Sequence, residues 1–192
     1  MKRIVLNIVA LFAVLSFSSC GYNSMVKLDE QVTSQWAQVE NVYQRRVDLI
    51  PNLVSTVKGA ANFEKETLTQ VIEARAKATS VNVDPTKLTP ESIAQFQAAQ
   101  GQLSQSLGRL LATVEAYPEL KANQNFLELQ AQLEGTENRI TVERQKFNTV
   151  TQEYNSTIRT FPNNLTAGMF GFKAKGYFQA EAGANKAPKV EF

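Results

Sequence analysis

The stretch that decides the fold runs from Trp36 to Gly59, WAQVENVYQRRVDLIPNLVSTVKG. Its apolar residues Trp36, Val39, Tyr43, Val47, Ile50, Val54 and Val57 follow one another by three or four positions, the spacing of one face of an α-helix. The same face extends upstream through Met25, Leu28 and Val32. A helix of about 35 residues is roughly 50 Å long at 1.5 Å per residue, so the spacing predicts a rod. Pro51 lacks the N–H that would bond one turn back, which predicts a kink between Val47 and Pro51. Gly59 weakens the helix further, and the pattern resumes with Phe63, Leu68, Val71, Ile72 and Arg75.

Downstream, residues 79–90 (TSVNVDPTKLTP) are polar, carry two prolines and break the period, so they read as a loop. Thr89 then suits the N-cap of a new helix, with Pro90 at its first position, where a missing N–H costs nothing. Ile93, Phe96, Leu103, Leu107, Leu110, Val114 and Tyr117 form its apolar face, with Gly101 and Gly108 placed to admit another helix closely. Tyr117-Pro118-Glu119 marks a turn. A second long helix follows, with Ala122, Phe126, Leu129, Leu133, Ile140, Phe147, Val150, Tyr154, Ile158 and Phe161 on its face, and ends before Pro162. No strand-like alternation interrupts these segments. The predicted class is all-α, an elongated antiparallel bundle of three to four long helices.

Both ends differ from the bundle. Met1–Ser19 has basic residues Lys2 and Arg3, then an apolar run from Ile4 to Phe17 broken only by Asn7 and Ser16. An apolar run of about 14 residues is short for a membrane span and fits a secretory signal. Ser18-Ser19-Cys20 resembles a lipoprotein processing site, with Cys20 lipidated as the mature N-terminus; the alternative is an uncleaved anchor. Either reading tethers the folded part to a membrane by its N-terminus. Residues 163–192 place glycines among Met169, Phe170, Phe172, Tyr177 and Phe178 without a helical period, predicting an irregular tail. The organisation is thus a signal over 1–19, a bundle over 20–162 and a tail over 163–192.

The inventory excludes much chemistry. The chain of 192 residues has no histidine and one cysteine. The usual acid/base, zinc and nucleophile schemes lose their actors, and the Glu-x-x-His pairs of di-iron bundles are absent. No cofactor or metal is expected. Lys plus Arg number 20 against 18 Asp plus Glu, and the excess resides in Lys2 and Arg3. Without the signal the side chains are formally neutral, so the sequence pI of about 8.6 does not indicate nucleic-acid binding.

Several long segments occur in a recognisable order. They are the opening stretch, preceded by Tyr22-Asn23 and Leu28-Asp29-Glu30, then AYPELKANQNFLELQAQLEGTENRI over 116–140 and VERQKFNTVTQEYNSTIRTFPNNL over 142–165. Phe170-Gly171-Phe172 and the final Ala187-Pro188-Lys189-Val190-Glu191-Phe192 complete the set. Together they resemble the LemA family of membrane-anchored bacterial helical proteins. The resemblance implies an elongated helical bundle behind an N-terminal anchor, with no established catalytic activity. Many members look anchored by an uncleaved transmembrane helix, whereas this chain is similar to a lipoprotein.

Candidate binding residues fall in two groups. Arg45, Arg46 and Asp48, with Glu40, cluster around Pro51, while Glu137, Arg139, Glu143 and Arg144 cluster on the last helix. One reading makes them a polar cleft; the other makes them salt bridges on solvated edges. In the tail, Phe170, Phe172 and Phe178 either fold back to cap the bundle or dock on a protein partner or membrane surface. Trp36 is expected in the core. Gln95, Gln97, Gln100, Gln102 and Gln105 are expected on an outer face. The functional expectation is a non-enzymatic adaptor or scaffold of the cell envelope, facing the periplasm, with a protein partner and possible self-association. The alternatives are an accessory regulator of an envelope protease or quality-control complex, or a carboxylate-based hydrolase, which requires two acidic residues in one cleft.

Overall fold

A computed structural model describes residues 2–60 and 63–180, with side chains from residue 21 onward. Six helices occur among them: α1 (Lys2–Lys58), α2 (Lys65–Ser80), α3 (Pro90–Val114), α4 (Pro118–Lys121), α5 (Gln124–Arg159) and α6 (Asn163–Phe170). Four of them form an up-down-up-down bundle. The antiparallel course of α1 and α5 follows from the bonds Gln35 to Glu143 (2.6 Å) and Arg46 to Glu137 (2.6 Å). Tyr43 meets Phe96 edge-on at 4.9 Å, and Arg46 meets Gln100, so α1 and α3 run in parallel.

Helix ends obey local chemistry. Thr89 caps α3 by accepting from the Ser92 N–H at 3.2 Å, with Pro90 in the first turn. Asn123 caps α5 by accepting from the Phe126 N–H at 3.1 Å. α6 stops at Gly171, whose φ of 77° lies in the left-handed region that terminates helices.

α1 stays helical across Pro51. Proline removes the donor for the carbonyl of Val47, four residues earlier. Arg75 of α2 supplies a substitute, its Nε donating to the Val47 carbonyl at 3.1 Å. A side chain thus repairs the backbone gap.

The core divides into two blocks. One gathers Val47–Val57 positions of α1 with α2, Leu103–Val114 of α3 and Phe126 and Leu133 of α5. The other gathers Met25–Tyr43 positions of α1 with Val83 and Leu88 of the loop, Ile93, Phe96, Ile140, Phe147, Tyr154 and Ile158, and also Ala167 and Phe178. Trp36 is fully buried among Phe96, Phe147 and Phe178, with centroids 5.1, 5.5 and 5.9 Å away.

Three expectations are corrected. The segment 163–170 is helical rather than irregular. Gly101 and Gly108 admit no neighbouring helix, since a Cβ at either would meet nothing within 4 Å. Ile72 and Phe161, counted on core faces, are exposed; Phe161 lies beyond the last turn of α5 and so escapes its register.

Candidate functional site

Between the two core blocks lies a polar layer built around Arg46. One guanidinium nitrogen donates to Ser104 Oγ at 2.7 Å and to Glu137 Oε1 at 2.6 Å. The other donates to the Gln100 side-chain and backbone oxygens at 2.6 and 3.2 Å. Gln100 in turn donates to the Ala78 carbonyl at 3.4 Å, bringing in the end of α2. Arg46 is 1 % exposed, sits 5.1 Å over the Tyr43 ring and leaves its Nε without a hydrogen bond. One side chain therefore ties α1, α3 and α5 directly and α2 at one remove.

This arrangement sorts the polar residues singled out from the sequence. Arg46 and Glu137 join the two charged clusters, but Arg46 is buried rather than on a solvated edge. Arg45 and Asp48 are exposed, and Asp48 accepts from Gln44 at 2.7 Å. Gln100 is buried, correcting its expected outer position, because it is the polar partner the guanidinium requires.

After α6 the chain becomes an extended strap, residues 172–180, along the bundle. Side-chain amides hold it as a neighbouring strand would. Asn155 donates to the Lys175 carbonyl and accepts its N–H, both at 2.9 Å. Asn148 does the same for Phe178, again at 2.9 Å in both directions. Gln97 grips Gln179 at 2.9 and 3.0 Å, and Arg144 donates to the same carbonyl at 2.8 Å. Lys175 is buried and pairs with Asp29 at 2.8 Å, while the Gly176 N–H donates to the Leu88 carbonyl at 2.8 Å.

The strap reassigns the aromatic residues of the tail. Phe178 is buried against Trp36 and is a core residue, so it is not a free surface anchor. It enters the flank of the bundle, not its apolar end, because the amide pairs lay the strap lengthwise. Phe172 is half-buried, and Phe170 is exposed; both meet Tyr22 of α1, at 5.8 and 4.8 Å. Sequence reasoning missed Asn148 and Asn155 and placed Gln97 on an outer face without its role in holding the strap. Their only signal was amide side chains placed on, or beside, an apolar helix face.

Beyond Gln179 a cleft of ≈ 710 Å³ opens, with Tyr43, Arg46, Gln97, Gly101, Ser104 and Glu137 in its wall. A shallower depression adjoins it along Leu107, Gly108, Leu111 and Leu133. Glu134 and Glu137 face that depression one turn apart, so an acidic pair does share a surface. Glu137 is engaged by Arg46, and Glu134 accepts from Gln130 at 3.0 Å. Among the described residues no group of three His, Cys, Asp or Glu side chains is placed to hold a metal ion.

Two ionisable groups are pushed upward by burial. Burial pushes the Tyr154 phenol up to about 12, assisted by the negative charge of Asp29; its hydroxyl donates to the Lys173 carbonyl at 3.0 Å. Burial also raises the Glu40 carboxyl, against a smaller lowering effect of the Trp36 indole. The Trp36 Nε1–H itself makes no hydrogen bond of good geometry.

Among the described residues no helix is long and apolar enough to cross a membrane. The lipidation expected at Cys20 lies outside the residues whose side chains are described. Fold and site together define an all-α rod that is cross-braced by a buried arginine and closed by a C-terminal strap. The chain belongs to the LemA family, whose model matches residues 35–192. It is similar to magnetosome protein MamQ 2 of Paramagnetospirillum magneticum, 28 % identical over 196 residues, covering 91 % of this chain and 70 % of that protein. It is likewise similar to protein LemA of Metamycoplasma hominis, 25 % identical over 158 residues, covering 82 % of this chain and 68 % of that protein. Magnetosome protein MamQ of Magnetospirillum gryphiswaldense is 25 % identical over 194 residues, covering 91 % of this chain and 71 % of that protein.

Proposed function

We propose that this chain is a non-enzymatic, membrane-tethered helical protein of the bacterial cell envelope, facing the periplasm, that acts as an adaptor or scaffold. The supporting observation is how the chain uses its polar side chains. Of the buried polar side chains, Arg46, Gln100, Asn155 and Lys175 hold helices or strap in place, and half-buried Asn148 does the same. Rigidity is what a scaffold requires, and a frame braced this way keeps its outer faces fixed for a partner. None of the names of its relatives states a reaction.

The tether reading is supported by the apolar run Ile4–Phe17, which belongs to the same helix as the rod. Cell fractionation of native protein and a Cys20→Ser variant, with mass spectrometry of the mature N-terminus, tests it. We expect a lipid-modified Cys20 and native protein in the membrane fraction, with the variant's N-terminus retaining Met1. An unmodified N-terminus in the soluble fraction would overturn the tether.

A further inference from the structure

We propose that α6, with Phe161 just before it, is an interfacial foot that lies in the surface of the membrane holding the N-terminus. The inference deepens, and rests on, the tethered reading above. Phe161, Leu165, Met169 and Phe170 are 76, 62, 79 and 59 % exposed, while no other large apolar residue among those described exceeds 47 %. Elsewhere such residues are scattered singly, as Ile72, Leu127 and Val142 are. Here four fall within ten consecutive positions, on α6 and just before it, and such a concentration of exposed apolar side chains calls for an apolar partner.

Position identifies the occupant as lipid. Tyr22 of α1 contacts the Phe170 and Phe172 rings, and Asn163 abuts Gly21 so closely that a Cβ there would strike its side chain. The foot thus sits beside residues 21 and 22, about 3 Å along the helix from Cys20 and within about 8 Å of Phe17, the last apolar residue of the leader. An amphipathic element inserts about 5–10 Å into the headgroup region, which is the distance available. Whether the tether is a lipid on Cys20 or the uncleaved apolar run, the geometry brings α6 to the same surface.

Charge agrees with position. Residues 160–172, TFPNNLTAGMFGF, contain no charged side chain, and Arg159 and Lys173 bracket them. Both are exposed, as is Lys27 on the neighbouring α1. An uncharged apolar segment between cations is the pattern that enters an interface carrying anionic lipid. The foot gives the tether a second point of attachment. With two points, the rod cannot swivel freely about its N-terminus.

The test uses full-length protein in its native membrane, with photoreactive benzoylphenylalanine replacing Leu165 or Met169, and Leu127 or Val142 as distal controls. All four sites are exposed, and retained helical circular dichroism confirms that each labelled protein is folded. We expect lipid adducts at 165 and 169 in about tenfold excess over 127 and 142, because only interfacial side chains reach acyl chains. Adducts at 165 and 169 that are chiefly protein, or no more lipid than at 127, would overturn the foot. Membrane fractionation of the same samples separates the two readings. A protein that sediments with membranes but yields no lipid adduct loses the foot and keeps the tether, whereas soluble protein loses both.

Discussion

At the residue scale, Arg46 carries the most consequence. A buried guanidinium is costly to desolvate, and its partners here only offset that cost. Its value lies in specification: the polar layer fixes which turn of α1 faces Gln100 of α3 and Glu137 of α5, and so divides the core in two. Arg46→Ala removes the donor that Gln100 Oε1, Ser104 Oγ and Glu137 accept from, leaves a void, and should cost about 3–5 kcal/mol in a denaturant melt. Arg46→Met fills the same space without charge. It should cost much less in free energy while broadening amide resonances of residues near the layer, the sign of relaxed register.

Tyr154 supplies a pH signature. Its folded pKa of about 12 stands above the unfolded value of 10.0, so the neutral phenol is the form the fold prefers. Its contribution is fully present below pH 10 and is lost as pH rises towards 12. The melting temperature should fall over that window, and Tyr154→Phe should flatten the fall because no phenol remains to ionise. An unchanged slope in the variant would assign the alkaline loss to other groups.

At the element scale, the strap is the feature that the sequence concealed. The long helices were legible from apolar spacing and from capping residues such as Thr89, because each helix buries one face and must repeat it every three or four residues. The strap has no such repeat. It is held through backbone groups by Asn148, Asn155 and Gln97, and backbone bonding leaves no trace in the strap's own side chains. Arg75 was hidden for the same reason, since its partner is the carbonyl that Pro51 leaves unpaired. The exposed foot was partly legible as an aromatic, glycine-containing tail. Its division into an outward Phe170 and an inward Phe178 depended on tertiary contacts.

Gly176 tests the strap. A Cβ there would lie 2.7 Å from Pro90 Cα and 2.9 Å from the Thr89 carbonyl oxygen, both backbone atoms that a side-chain rotation cannot move aside. Gly176→Ala should therefore displace the strap and loosen Phe178 from Trp36. We expect a loss of about 2–4 kcal/mol, comparable with opening a cavity by removing a buried aromatic residue, together with faster amide exchange at Phe178 and Gln179. Unchanged exchange at those amides would show that the strap accommodates the methyl group.

At the scale of the whole molecule, α1 runs from the apolar leader to the far end of the bundle as one helix, and α5 returns beside it. The rod thereby has one end marked by Tyr22 and α6, which the proposed tether sets at the membrane, and another at the α1–α2 and α3–α5 connections. The clefts beyond Gln179 open along its flank, where Gly101 and Gly108 leave room that none of the described helices fills.

In-cell crosslinking of the native, membrane-held protein, followed by mass spectrometry of the joined peptides, tests this account most directly. We predict one dominant foreign protein crosslinked reproducibly to the flank of α3 and α5. Crosslinks confined to copies of the chain itself would contradict the adaptor and leave a self-assembled scaffold; purified protein that turns over an envelope polymer would contradict the non-enzymatic account altogether.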